Sequence, residues 1–301
     1  YEIASCLVGS EMCIRDRIGG LTMIKAIAVD MDGTFLDSNK QFDRNRFETI
    51  FKELIDKNIK FIAASGNQFA KLKSIFGDSE MFFISENGAV IYKGNQLYNY
   101  RSFDQYIFQK VVNYLNLNQK INNLIICGVK SAYILKETSE AFKQDARTYY
   151  HQLIEIDSLQ TLPDDDYVKI AFNINRQTHP DLDEKLALKF KDDIKLVSSG
   201  RDSIDVIMPN MTKGQALSRL LKEWQMSASH LMAFGDANND KDMLELAEHS
   251  YVMANSEDQS LFNIASHVAP SNDEQGVLST IENVVPVSYT HLRAHETRGN
   301  I

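Results

Sequence analysis

The chain has 301 residues with 44% hydrophobic and 24% charged side chains, and its formal net charge at pH 7 is −9. This composition is typical of an ordinary globular chain that can bury a sizeable core in one or two domains. The acidic balance and the lack of a basic stretch interleaved with aromatic residues argue against nucleic acid as a partner. No apolar run approaches the roughly 18 residues of a membrane-spanning helix, so we expect no membrane partner.

The two ends of the chain lack the alternating pattern of the interior. Residues 1–22 and 287–301 resemble translated sequencing-adapter sequence, so we expect both segments to be non-native extensions and Met23 to be the natural start. A secretory signal is the competing interpretation of the first segment, but acidic residues interrupt it. Because two of the three cysteines lie there, only Cys127 would remain, which predicts no disulfide framework and a cytoplasmic location.

The first part of the interior alternates between short apolar runs and amphipathic stretches. The predicted strands and helices follow one another along the chain: strands over residues 24–29, 59–64 and 81–84, and helices over residues 43–57 and 68–76. Asp43 is the predicted N-cap of the first helix, and five apolar side chains follow at helical spacing: Phe47, Ile50, Phe51, Leu54 and Ile55. Continuous apolar strands that alternate with helices are typical of a parallel sheet covered on both faces.

The rhythm changes after the Asn87-Gly88 turn, where the sequence predicts a hairpin. Strands and helices then mix without strict alternation, which indicates an inserted α+β domain, and the β/α alternation returns at the helix predicted to start at Lys213. The predicted fold is therefore α/β, a Rossmann-like parallel-sheet core split by an insert. Its predicted parts are a core over residues 23–88 and 209–286 and an α+β domain over residues 89–208.

Two carboxylates follow the first predicted strand directly. Side chains at i and i+2 of a strand leave from the same face, so Asp30 and Asp32 would crowd together where Gly33 lets the backbone turn. Two charges about 4 Å apart repel by roughly 4 kcal/mol at an effective dielectric near 20, so a cation or a shared proton is expected. For an isolated Asp-x-Asp-Gly, a surface turn is the alternative.

Other polar residues follow other strands of the same predicted sheet. They fall into three groups along the chain: Ser65-Gly66-Asn67, Lys213-Gly214 and residues 235–240. Each group alone has a plain interpretation as a helix N-cap, a solvated charge or a capped turn. Because ligands of open α/β sheets bind outside the carboxyl ends of the strands, the groups together predict one site. That site has carboxylates for a cation, and a hydroxyl and an ammonium for an anion.

These groups resemble the four motifs of the haloacid dehalogenase superfamily of phosphohydrolases. The four matches occur in the expected order: Asp30-Met31-Asp32-Gly33-Thr34, then Ser65, then Lys213, then Gly235-Asp236 with Asn239-Asp240. The insert between the second and third motifs, entered through Ser85-Glu86-Asn87-Gly88-Ala89, is similar to the Cof-type branch. That branch hydrolyses small phosphorylated metabolites, so the resemblance implies a phosphatase whose insert closes over the site as a cap.

The resemblance also implies a role for each matching residue. Asp30 would attack phosphorus to give an aspartyl-phosphate, and Asp32 would act as general acid and then base. For the acid step Asp32 must be partly protonated in the complex, which burial and crowding by like charges would favour. The implied Mg²⁺ ligands are Asp30, Asp236 and the main-chain carbonyl of Asp32, with Asn239 or Asp240 in or behind that shell.

The substrate-binding residues implied by the resemblance surround the phosphoryl group. Ser65 and Lys213 would hold its oxygens, with Gly66 allowing close approach. Thr34 is predicted near the same oxygens or in a structural hydrogen bond. Asn210, just before the third motif, is a further candidate for substrate contact.

One position departs from the family pattern, because many relatives carry Arg where this chain has Asn67. An amide provides neither a charge nor a bidentate fork for a substrate anion, so Lys71 or Lys73 would have to meet any such group. In the predicted cap, Arg201, Lys169 and His179 are candidates for substrate contact, although a surface position is the alternative for each.

Two other functions remain open from the sequence. A phosphomutase would use the same scaffold to return the phosphoryl group to a sugar, and a non-catalytic regulator would bind a phosphometabolite without turnover. The presence of both Asp30 and Asp32 argues against the regulator, because a binding module has no need of an acid beside a nucleophile. We expect a monomer or a weak homo-oligomer.

Overall fold

The computed structural model describes residues 24–198 and 203–285. The two predicted non-native extensions lie outside the described residues, as does Arg201. Within the described part of the chain, no helix has the length and apolar character needed to cross a lipid bilayer.

The described elements form three successive groups along the chain. The first comprises β1 (Ala26–Val29), α1 (Arg44–Asp56), β2 (Lys60–Ala64), α2 (Phe69–Phe76), β3 (Phe82–Ser85), β4 (Val90–Lys93) and β5 (Gln96–Tyr100). The second comprises α3 (Gln105–Asn113), β6 (Leu124–Gly128), β7 (Ala132–Leu135), α4 (Glu140–Tyr149), β8 (Leu153–Ile156), β9 (Tyr167–Asn173), α5 (Leu182–Lys189), β10 (Lys195–Ser198) and β11 (Ser203–Ile207). The third comprises α6 (Lys213–Glu223), β12 (Leu231–Gly235), α7 (Lys241–Leu246), β13 (His249–Met253), β14 (His267–Ala269) and α8 (Gly276–Val284).

The larger of the two sheets has eight strands in the order β14-β13-β12-β1-β2-β3-β4-β5. The six strands from β14 to β3 are parallel, and β1 lies between β12 and β2 near the middle of the sheet. All four residues of β1 are buried, as expected for a strand covered on both faces. The predicted Rossmann-like core is confirmed, and its central strand ends directly before Asp30.

The hairpin β4–β5 belongs to the larger sheet by its hydrogen bonding. β4 pairs antiparallel with β3, in a register that joins Ile84 to Ile91, and β5 pairs with β4. The predicted domain division at residue 89 stays a prediction. Because this pairing extends the core sheet to Tyr100, we propose that the insert begins after the hairpin rather than before it.

Helix α1 shows why the core forms as the sequence predicts. The Asp43 side chain accepts a hydrogen bond from the backbone N–H of Arg46 at 3.0 Å and so caps the helix. Phe47, Ile50 and Leu54 are buried against the sheet, whereas the last member of the predicted stripe, Ile55, is 54% exposed. The buried face of the helix is thus narrower than the apolar stripe.

The smaller sheet has six strands in the order β10-β11-β9-β6-β7-β8. We refer to the unit formed by this sheet with α3, α4 and α5 as the cap. One face of the sheet packs on buried side chains of α3 and α5, including Phe108 and Leu186. The other face packs with Ala146 of α4 and with two residues of the core unit, Val90 and Met211. This second face therefore lies between the cap and the larger sheet.

Candidate active site

The polar residues singled out by the sequence follow adjacent parallel strands. Val29 at the end of β1 is in register with Phe234 of β12 on one side and Ala63 of β2 on the other. The N–H of Asp30 donates to the Phe234 carbonyl at 3.0 Å, which carries the pairing one residue beyond the strand. The carboxyl ends of β1, β2 and β12 therefore meet at one edge of the sheet, as ligand sites of open α/β sheets require.

A buried ammonium group joins two of the acidic residues at this edge. Lys213, the first residue of α6, is fully buried, and its Nζ lies 2.5 Å from Asp30 Oδ1 and 2.8 Å from Asp240 Oδ1. The second oxygen of Asp240 accepts hydrogen bonds from the backbone N–H groups of Asp236 and Ala237, each at 3.1 Å. Asp240 thus fixes both the lysine and the loop after β12.

Three carboxylates are close enough to hold a cation together. Asp30, Asp236 and Asp240 each present an oxygen within 4.8 Å of the others, and one ammonium group faces them. Burial and the charges of Asp240 and Asp236 raise the pKa of Asp30 despite Lys213. Burial and Asp240 raise the pKa of Asp236 to about 6. This excess of negative charge and the all-oxygen donor set fit a hard divalent cation.

Thr34 makes a hydrogen bond within the acidic cluster. Its hydroxyl donates to Asp236 Oδ1 at 2.6 Å, so it orients a candidate metal ligand. Gly33 makes this approach possible: its φ is +90°, and a Cβ there would lie 2.4 Å from Asp236 Oδ2. The side chain of Asp236 therefore occupies the space that any larger residue at position 33 would need.

We expect Gly33→Ala to lower both stability and metal-dependent activity. The new methyl group must displace the Asp236 carboxylate, and a left-handed non-glycine backbone costs roughly 1–3 kcal/mol. Gly77→Ala is the matched control, because Gly77 also has a positive φ of 66° but nothing lies within 4 Å of its added Cβ. Urea unfolding should show a loss for both variants. A Gly33→Ala enzyme with the same activity per folded molecule as Gly77→Ala would contradict this account of the site.

Asp32 lies in a different charge environment from Asp30. Its Oδ1 accepts from Lys40 Nζ at 2.8 Å, its Oδ2 accepts from the Asn67 amide at 2.7 Å, and Lys71 Nζ lies 3.7 Å from Oδ2. Burial raises the pKa of Asp32, but these cationic and amide partners together outweigh burial and lower it. The repulsion acting on Asp30 comes from Asp240 and Asp236. The surroundings of Asp32 therefore favour its ionised form in the free protein. Its partial protonation in the complex with substrate stays a prediction.

The turn after β2 brings Ser65, Gly66 and Asn67 to the same edge. Ser65 is buried, and its hydroxyl oxygen accepts the Asn67 N–H at 3.0 Å. The Asn67 side-chain amide lies at this edge as well, where it donates to Asp32 Oδ2. Lys40, whose backbone is left-handed with a φ of 60°, is a partner of Asp32 that was not predicted from the sequence.

A cavity of about 370 Å³ opens between this edge and the cap. From the core unit it is lined by catalytic candidates and their neighbours: Asp30, Asp32, Lys40, Ser65, Gly66, Asn67 and Asn239. From the cap it is lined by aromatic and polar side chains: Phe142, Asp145, Tyr149, Tyr150, Lys169 and Asp205.

Several predicted contact residues do not line this cavity, among them Lys213, Asn210 and His179. Asn210 is exposed, and its carbonyl accepts from Arg219 at 3.5 Å. His179 hydrogen-bonds the Gln119 carbonyl within the cap at 3.0 Å. Lys169, by contrast, is 1% exposed rather than on the surface, and it lines the cavity wall.

Known proteins are similar to this chain in sequence and fold. A family model described as haloacid dehalogenase-like hydrolase matches residues 27–281. The 5-amino-6-(5-phospho-D-ribitylamino)uracil phosphatase YbjI of Escherichia coli (strain K12) is 36% identical over 265 residues, which cover 87% of this chain and 96% of that protein. Phosphatase YwpJ of Bacillus subtilis (strain 168) is 28% identical over 294 residues, covering 87% of this chain and all of that one.

A solved structure shows the same architecture. SMU.1108c from Streptococcus mutans UA159 matches with a TM-score of 0.80 at 34% identity, covering 87% of this chain and 99% of that one. The chain belongs to the haloacid dehalogenase-like hydrolases. The predicted family, including its Cof-type branch, and the predicted class of phosphoric monoester hydrolase are confirmed.

Proposed function

We propose that this hydrolase is a Mg²⁺-dependent phosphatase that cleaves a small phosphorylated metabolite through an aspartyl-phosphate on Asp30. The observation that carries the proposal is the placement of Asp30. Its carboxylate is held by Lys213 at 2.5 Å, faces two further carboxylates and lines the cavity with Ser65. The candidate nucleophile therefore lines the cavity, with an ammonium group in contact with it and two further carboxylates beside it.

In the first step an oxygen of Asp30 attacks phosphorus and the bond to the leaving oxygen breaks. The leaving alkoxide takes a proton from Asp32. Two N–H groups of the Lys213 ammonium donate to Asp30 and Asp240. Since no third acceptor is found among the described residues, the third N–H group would donate to a phosphoryl oxygen. The Ser65 hydroxyl donates to another phosphoryl oxygen.

In the second step a water attacks the phosphorus of the aspartyl-phosphate, and Asp32 takes its proton. Phosphate leaves, Asp30 regains its carboxylate, and Asp32 has regained the proton that it gave to the leaving group. Lys40 and Asn67 hold Asp32 ionised in the free protein, which suits this base step. Lys40 is exposed at 61% of its side chain, so it can move away from Asp32 when Asp32 must carry the proton.

Mg²⁺ fits the acidic cluster because it prefers oxygen ligands and keeps several waters. Asp30, Asp236 and the main-chain carbonyl of Asp32 would hold it, with Asn239 beside them. Both Asp240 oxygens are engaged by Lys213 and backbone N–H groups, so we assign Asp240 to the layer behind the ligands. When bound, the ion would stabilise the negative charge that develops on the phosphoryl oxygens.

Removing divalent cations should abolish phosphate release and lower the melting temperature. Mg²⁺ at about 100 times its dissociation constant should stabilise the folded protein by about 2.7 kcal/mol, or roughly 5–10 °C, because it relieves the repulsion among the carboxylates. Thermal scans with EDTA and with added Mg²⁺ measure this shift. Asp236→Asn is the control variant and should show a much smaller shift. Equal shifts in both proteins would contradict the assigned ligand set.

The cap side of the cavity favours a substrate with a planar ring. Phe142 and Tyr149 present aromatic surface there, and Asp145 offers an acceptor for hydroxyl or amino groups. The relative from Escherichia coli is named for a phosphoribitylaminouracil, which combines a phosphate, a polyol chain and a ring. We propose a substrate of this kind for the present chain. The predicted cytoplasmic location and oligomeric state remain predictions.

The test is a comparison of kcat/KM with Mg²⁺ across a panel of phosphate esters. The panel includes 5-amino-6-(5-phospho-D-ribitylamino)uracil, sugar phosphates and an aryl phosphate. Phosphate release from any member supports the phosphatase. Exchange of label between positions of a sugar phosphate, without phosphate release, would instead identify a phosphomutase.

A further inference from the structure

Two charged cap residues are buried at the boundary with the core unit. Lys169 on β9 is 1% exposed, and Asp205 on the neighbouring strand β11 is 3% exposed. Burying a charge is unfavourable unless partners compensate it, so these side chains need partners at the boundary.

Each of the two finds its partners in the core unit. Lys169 Nζ forms an ion pair with Glu86 Oε2 at 2.7 Å and donates a hydrogen bond to the Gly66 carbonyl at 2.8 Å. Asp205 accepts from the Asn87 amide at 2.6 Å and lies 3.6 Å from Lys169 Nζ. Gly66 belongs to the turn after β2 that carries Ser65. Lys169 of the cap therefore hydrogen-bonds the residue next to Ser65, whose hydroxyl is a proposed phosphate-binding group.

The turn formed by Glu86, Asn87 and Gly88, which pairs with the two cap residues, also contacts the start of α6. Glu86 and Asn87 adopt left-handed backbone conformations, with φ of 51° and 58°, which are unfavourable for residues other than glycine. The following Gly88 approaches the N-terminal turn of α6 so closely that a Cβ on it would lie 2.2 Å from the Thr212 carbonyl. Thr212 directly precedes Lys213. The strained turn thus bridges the cap lysine and the helix that carries the catalytic ammonium.

We propose that Lys169 is a positioning residue that couples the seating of the cap to the geometry of the phosphate-binding turn and of α6. With the cap seated, Lys169 fixes the Gly66 peptide and the Glu86–Gly88 turn together. Ser65 and Lys213 then hold the orientations that the phosphoryl group needs. This inference rests on the proposed phosphatase function for its kinetic consequences, whereas its structural consequence is independent of turnover.

A second buried cap lysine provides a matched control. Lys143 on α4 is 2% exposed and is also ion-paired, to Glu140 at 3.0 Å and Glu155 at 2.8 Å. All of its described partners belong to the cap, including the Lys136 carbonyl at 2.6 Å. Lys143→Met therefore removes a buried lysine of the cap and leaves the contacts between cap and core in place.

The test compares Lys169→Met with Lys143→Met in the full-length protein. We expect kcat/KM for an aryl phosphate, per folded molecule, to fall about 10- to 100-fold in Lys169→Met and to stay within threefold of wild type in Lys143→Met. The inhibition constant of inorganic phosphate should rise with the same pattern. Hydrogen–deuterium exchange without substrate should speed up at residues 65–67 and 86–88 in Lys169→Met alone.

The kinetic and exchange results for the two variants each support or overturn the proposed role of Lys169. Equal kinetic losses in the two variants, or unchanged exchange at both turns, would overturn the coupling and leave Lys169 a stabilising residue only. If Lys169→Met does not fold, Lys169→Met with Glu86→Gln removes one charge of each sign and is measured in its place. If the wild-type protein releases no phosphate from any ester, the proposed phosphatase function is wrong. The comparison of hydrogen–deuterium exchange between Lys169→Met and Lys143→Met still tests whether Lys169 couples the cap to the two turns.

Discussion

Asp30→Asn is expected to abolish phosphate release while leaving the metal-free protein as stable as wild type or more stable. The amide cannot attack phosphorus, so kcat should fall by about 10⁴-fold or more. The stability change has the opposite sign because burial, Asp240 and Asp236 make a negative charge at position 30 unfavourable without a cation. Lys213 keeps its 2.8 Å contact with Asp240 in this variant. Phosphate release and thermal scans in EDTA measure the two effects.

Asp32→Asn is the matched variant that separates the two carboxylates. An aryl phosphate with a nitrophenolate leaving group needs little protonation, so Asp32→Asn should still form the aspartyl-phosphate and then accumulate it. A rapid burst of nitrophenolate followed by slow turnover is the expected result, whereas Asp30→Asn should give neither phase. A burst from Asp30→Asn, or a normal steady-state rate, would exclude Asp30 as the nucleophile.

The strand ends that build the site could be predicted from sequence because they depend on local pattern. Apolar runs ending at Asp30, Ser65 and Gly235 identify parallel strands, and topology then brings their carboxyl ends together. The surroundings of Asp32 could not be predicted in this way. Its contact with Lys40 depends on how the loop between β1 and α1 folds, and its contact with Asn67 depends on how β2 lies against β1.

The buried charges between cap and core show the same limit. Lys169 lies within an apolar run, where a surface position is the usual interpretation of a lone lysine. Its burial depends on Glu86, which is far away in sequence and is brought near only when the cap packs on the larger sheet. The hairpin β4–β5 could be predicted from its turn, but its pairing with β3 required the tertiary structure.

Lys213→Met is expected to destabilise the protein strongly as well as inactivate it. The substitution leaves Asp30 and Asp240 without the ammonium group that lies 2.5 and 2.8 Å from them. Breaking a buried charge pair by removing one partner costs about 3–5 kcal/mol. Lys185→Met is the surface control, since Lys185 pairs with Asp181 at 3.0 Å while 53% exposed, and it should change stability by at most about 1 kcal/mol. Urea unfolding measures both variants.

The double variant Asp30→Asn with Lys213→Met shows whether Lys213 stabilises the fold through its charge or through its packing. If Lys213 stabilises the fold by neutralising carboxylates, Asp30→Asn should recover part of the stability lost in Lys213→Met, because fewer negative charges then need a partner. Mg²⁺ should recover part of it as well, since a divalent cation opposes the same charges. Activity should return in neither case, because the double variant lacks the nucleophile and the single variant lacks the phosphoryl-binding ammonium. Additive stability losses, unaffected by Mg²⁺, would instead assign Lys213 to packing alone.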